Sequence, residues 1–164
     1  MPKMRPTRAM ARVVSLAFPI LPPSVRGVDR GKAVYVGGTL SGVKEKAQAP
    51  IDLKGEESLV FAPRGTAPVQ IPWSGIEEVE YGQKVGHRVK TAILLSPLAL
   101  FSKNRRHYVT LAWKDAEGRD QAAVFEFDKD DIRPALASIR ARSGREVVYQ
   151  DEPAKKRMGA PKDE

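Results

Sequence analysis

The sequence contains no cysteine, which removes disulfide frameworks, thiolate metal sites and thiol nucleophiles and leaves the redox compartment open. Histidine is nearly as scarce. The two present, His87 and His107, have no second histidine or carboxylate cluster at ligand spacing, so neither reads as a metal site. No run approaches the roughly 20 apolar residues that span a bilayer as a helix. A phosphate loop and a Gly-x-Ser-x-Gly elbow are both lacking, and no cofactor is implied. Aromatics make up 7% of the chain, and its two tryptophans, Trp73 and Trp113, are the candidates for stacking a nucleic-acid base. Trp113 alternates with apolar residues in a strand pattern, which argues for the core instead.

What is present is enough apolar material for one ordinary domain: 164 residues, 41% of them hydrophobic. The net charge of +8 is unevenly spread. Residues 1–31 hold 6 Lys and Arg against 1 acid, residues 32–150 hold 18 against 15, and residues 151–164 hold 4 against 4. The excess therefore sits in the N-terminal extension, and the remainder is only mildly basic. General basicity gives no support to nucleic-acid binding here.

Residues 1–31 form a segment apart. Lys3, Arg5 and Arg8 precede the apolar run from Val13 to Leu21, followed by Pro22, Pro23 and Ser24. That order outlines a degenerate secretory signal. Arg12 abuts the run, Pro19 cuts it and no Ala-x-Ala site follows, so a plain extension is the rival reading. The outline favours export to the cell envelope over the cytoplasm.

From residue 32 the pattern becomes that of strands. Ala33 to Leu40 is rich in β-branched and aromatic residues, with a Gly37-Gly38 pair that permits a bulge. Ser58-Leu59-Val60-Phe61, Val69-Gln70-Ile71 and Gly75 to Tyr81 are short apolar runs stopped by Pro63, Pro72 and Gly82, as in an antiparallel meander. Acidic Glu77, Glu78 and Glu80 fall largely on exposed strand positions. His107 to Trp113 places Val109, Leu111 and Trp113 on one face, and after the turn at Asp115 to Asp120 the return strand puts Ala123, Phe125 and Phe127 in phase. This is a hairpin.

A helix follows, because Ile132, Ala135, Leu136 and Ile139 recur at i, i+3, i+4 and i+7. Asp128, Asp130 and Asp131 crowd its start, Arg140 and Arg142 its last turn, and Gly144 ends it. Glu146 to Tyr149 predicts a short strand, and residues 151–164, polar and aperiodic, predict a disordered tail.

Short strands closed by one amphipathic helix predict a mainly β (α+β) fold. The string Leu59-Val60-Phe61 followed by Val69-Gln70-Ile71-Pro72-Trp73-Ser74-Gly75-Ile76 resembles a segment of bacterial pleckstrin-homology-like domains. Tyr35 to Thr39, Tyr81 to Lys84, Ser96 to Lys103 and Ala141 to Gly144 are similar to an uncharacterised bacterial family of that type, whose members are often predicted to be exported. The resemblance covers roughly residues 32–150 and implies an antiparallel barrel, or two orthogonal sheets, with one C-terminal capping helix. It implies no assigned chemistry.

The least core-like stretch runs from Lys84 to His107. Thr91 to Leu95 and Leu98 to Phe101 are apolar, and basic residues bracket them. One reading is a docking surface for an anionic membrane or a protein partner, formed by Arg88, Lys90, Leu98, Leu100, Phe101, Lys103, Arg105 and Arg106. The other is an amphipathic helix folded on its own core, since Val85, Val89, Ala92, Ile93 and Ser96 share a helical face. No nucleophile, base and orienter converge in the pattern, so a non-enzymatic binding module is the expected class; a small enzyme or ligand-binding protein with scattered site residues is the alternative.

Overall fold

A computed structural model describes residues 31–83 and 106–159 of the chain. The N-terminal extension up to residue 30 and the expected insertion helix lie outside them. The described residues are mainly β: eight strands and two helices. β1 (Gly31–Gly38), β2 (Ala47–Asp52), β3 (Ser58–Phe61) and β4 (Val69–Pro72) form an antiparallel meander. A single 3₁₀ turn, Trp73–Gly75, leads into β5 (Ile76–Gly82). β6 (His107–Lys114) and β7 (Asp120–Phe127) make the expected hairpin, in register from His107 opposite Phe127 to Lys114 opposite Asp120.

The eight strands lie in one sheet, ordered β4-β3-β2-β1-β7-β6-β5-β8. Among the described residues hydrogen bonding does not close it, and β4 and β8 stand at its two ends. β8 (Val147–Tyr149) pairs parallel to β5, a connection that needs a crossover. Helix α1 (Ile132–Ser143) supplies it. Its four stripe residues, Ile132, Ala135, Leu136 and Ile139, are all buried, and Gly144 caps it at a φ of 66°. The acids at its start act through charge alone: no side chain caps the helix, and the Asp128 carbonyl takes the N–H groups of Asp131 and Ile132.

One apolar core joins Tyr35, Phe61, Trp73, Tyr81, Leu111 and Phe125 to that stripe. Both tryptophans belong to it, Trp73 donating from Nε1 to the Gly55 carbonyl at 2.8 Å. They are not stacking platforms. The opposite face of the central strands is buried too, at Tyr108, Thr110, Ala122 and Val124. Glu80 lies on that face, buried and partnered, which corrects its reading as a solvent-facing strand residue. Central strands covered on both sides lose the polar half of their alternation.

Gly37-Gly38 does form a bulge, with the β1–β7 register shifting after Tyr35. Gly38 sits at a φ of 138°, and a Cβ there would lie 2.2 Å from the Ala122 carbonyl oxygen. Only glycine fits.

Two elements escaped the sequence pattern. β2 contains Pro50, which argues against a strand. The Pro50 carbonyl accepts from Ala62 N–H, so its nitrogen faces the same side, where the β2–β3 ladder has already ended at Ile51 opposite Phe61. No ladder bond is lost. The second is α2 (Glu152–Met158), in the stretch expected to be a disordered tail. Asp151 caps it by accepting from Ala154 N–H at 2.8 Å, Gly159 closes it in the left-handed conformation, and Ala154 is buried in the common core. The helix is too short to show a period, and its caps and packing hold it.

Candidate functional site

His107 is the first residue of β6, and Tyr81, near the end of β5 and paired with Val109, is its diagonal neighbour in the sheet. The Tyr81 hydroxyl and His107 Nδ1 are 2.7 Å apart, and the two rings stack with centroids 6.0 Å apart and planes 18° off parallel. Tyr149 of β8 meets the far side of Tyr81 edge-on at 6.0 Å. A fully buried phenol thus fixes the orientation of a half-buried imidazole. The ring nitrogen not bound to Tyr81 is the one left for a ligand.

Three cations surround His107 from three elements. β7 ends at Phe127, and the turn that follows it carries Lys129 and Asp130. Arg133 stands on the first turn of α1, and Arg157 on the last turn of α2. Arg133 Nη2 donates to the Arg157 carbonyl at 2.7 Å, tying the start of α1 to the end of α2. That carbonyl is one of those a helix end leaves without an intrahelical donor. His107, Lys129, Asp130, Arg133, Arg157 and Met158 line a half-open cleft of about 420 Å³.

The cations lining this cleft outnumber its one acid, Asp130. Among the described residues, Lys129, Arg133 and Arg157 form no salt bridge, although Asp130 shares the rim. Burial holds the His107 pKa below its ordinary value of 6.5, and the charges of Arg157 and Lys129 push in the same direction. Burial raises the Tyr81 pKa, with Arg157 opposing. A neutral imidazole among cations can accept a proton if an anion arrives.

A larger depression of about 820 Å³ lies alongside, between α1, β8 and α2, and shares Arg133 and Met158 with the cleft. Its Arg140 is neutralised by Glu146 at 2.7 Å, and Asp151 and Glu152 also line it. Size favours that groove, but charge favours the smaller cleft, and charge is the property that selects a ligand class.

Of the eight residues expected to form a docking surface, Arg88, Lys90, Leu98, Leu100, Phe101, Lys103 and Arg105 lie outside the described residues. Arg106 is within them. It is exposed, and its guanidinium pairs with Glu126 across the β6–β7 ladder. Lys129, Arg133 and Arg157 went unnoticed in the sequence because residues 128–131 read as capping and residues 151–164 as tail. Acids stand beside them in both stretches, Asp128, Asp130 and Asp131 in one and Asp151 and Glu152 in the other, so local charge gave no signal.

No protein-family model matches the chain, and no curated protein matches it.

Proposed function

We propose that the chain is a non-enzymatic binding module of pleckstrin-homology-like build that docks on an anionic membrane surface at the bacterial cell envelope. The build is supported by the order of elements: a four-stranded meander, a turn, three further long strands and then the core-packed α1. The carrying observation is the cleft itself, where Lys129, Arg133 and Arg157 converge and, among the described residues, form no salt bridge. An isolated surface ion pair contributes little to stability, so cations left unpaired cost the fold little and remain free for a partner. Attraction of such groups to an anionic surface is about 1 kcal/mol per residue and falls off within the Debye length.

Co-sedimentation with vesicles tests the reading. The full chain is expected to pellet with phosphatidylglycerol-containing vesicles at low salt, to be released as salt rises, and to ignore vesicles of phosphatidylcholine alone. Equal binding to both vesicle types, or none to either, overturns it.

A second reading, of a soluble-ligand site in the same cleft, is favoured by one specific observation. A diffuse docking patch has no use for the buried Tyr81 hydroxyl that orients His107.

A further inference from the structure

We propose that the cleft between α1 and α2 is a discrete site for one phosphate group, free or as the monoester of a small molecule, gripped by Lys129, Arg133 and Arg157 with His107 donating from its floor. The proposal rests on the anion-docking reading of that cleft and goes further, because it assigns stoichiometry, shape and ligand class.

The cleft is preorganised. Arg133 spends one N–H on the Arg157 carbonyl at 2.7 Å, which sets the plane of its guanidinium and leaves its other donors available. A guanidinium fork matches two oxygens of a tetrahedral anion, whereas a lysine acts as a point charge. Two arginines and one lysine on three separate elements therefore suit a compact group with several oxygens better than a planar carboxylate. The size of the cleft also suits a substituted phosphate. A phosphate fills only part of about 420 Å³, and Met158 supplies an apolar wall against which the ester substituent can lie.

The Tyr81–His107 pair adds a titratable group to the cleft. Every charged or titratable group that faces His107 among the described residues can be named: Tyr81 from β5, Lys129 and Asp130 from the β7–α1 turn, Arg133 from α1 and Arg157 from α2. Tyr149 and Asp151 act behind Tyr81. Burial first, and the charges of Arg157 and Lys129 after it, disfavour protonation of His107. A bound dianion reverses the sign of the local field, so binding takes up a proton and affinity rises as pH falls.

Calorimetric titration of the full chain at constant ionic strength tests this, with inorganic phosphate, phenyl phosphate and sulfate as probes. Sulfate stays a dianion throughout, so its pH dependence isolates His107. Saturable 1:1 binding is expected, tighter for phenyl phosphate, and about tenfold weaker in R133Q and in R157Q. K129Q provides a variant whose side chain makes no hydrogen bond in the fold, so a loss there cannot be attributed to misfolding. Sulfate affinity should increase between pH 7.5 and 5.5, and H107Q should flatten that increase. Phenyl phosphate that displaces the protein from phosphatidic acid vesicles identifies a lipid monoester as the source; binding without displacement identifies a soluble one. Non-saturable binding, or affinities unchanged in all three charge variants, overturns the phosphate site. Phosphatidylglycerol vesicles still bound by a chain that ignores phosphate would separate that failure from failure of the docking reading.

Discussion

The β6–β7 hairpin and the α1–α2 cleft carry similar numbers of cations and treat them in opposite ways. In the hairpin each is matched: Arg106 with Glu126, Lys114 with Asp120, and Arg119 with both Asp115 and Glu117. Asp115 organises the turn, its carboxylate accepting from the Glu117 and Arg119 N–H groups, from Arg119 Nε and from Gln121 Nε2. In the cleft the acids nearby are positioned at a helix start, and the cations face a cavity. Charge used as scaffold is compensated within the strand pair, whereas Lys129, Arg133 and Arg157 form no salt bridge among the described residues. The modest net charge of the folded part conceals this difference, because the sum runs over both regions.

The contrast can be broken or sharpened by substitution. The largest effect is expected on the frame that both regions share. Gly38→Ala drives a Cβ against the Ala122 carbonyl and strains a positive φ, so about 3 kcal/mol or more of stability should be lost in chemical denaturation. Ile139→Ala, in the fully buried stripe of α1, should cost about 2 to 5 kcal/mol by the same measurement. Next comes the hairpin turn: Asp115→Ala removes several acceptors at once and is expected to lower the melting temperature by a few degrees without touching anion binding. Arg157→Gln should do the reverse, leaving stability within about 0.5 kcal/mol of the parent while weakening anion binding. A variant that swaps those two outcomes would dissolve the distinction.

The smallest effect concerns pH. The native His107 pKa lies below 6.5, so the unfolded chain binds the proton more readily than the native state does. Stability is therefore whole above pH 6.5 and declines as pH falls through the native value. Melting curves between pH 7.5 and 5 should show a slope that His107→Gln reduces and that saturating sulfate reduces as well.

Much of the frame was legible in the sequence, and the reasons are local. The Val109, Leu111 and Trp113 alternation, the turn at Asp115 and the spacing of Ile132 to Ile139 are periodic signals that packing merely completes. The Gly37-Gly38 pair marked a bulge because glycine in a strand has few other uses. β2 was hidden by Pro50, whose missing donor happens to fall where the ladder has stopped. α2 was hidden because seven residues carry no period, and its apolar contacts with the core come from Ala154 and Met158 alone. The cleft was invisible for a stronger reason. Lys129, Arg133 and Arg157 come together only when α2 folds against α1, so no local window contains the site.

The account is tested most directly by comparing two variants that lose the same charge in different places. One carries K129Q, R133Q and R157Q in the cleft, the other R106Q, K114Q and R119Q in the hairpin, and binding of each to phosphatidylglycerol vesicles is measured at low salt. The account predicts that the cleft variant stays in the supernatant while the hairpin variant pellets nearly as the parent does. Equal loss in both would show that net charge alone drives association and would contradict it.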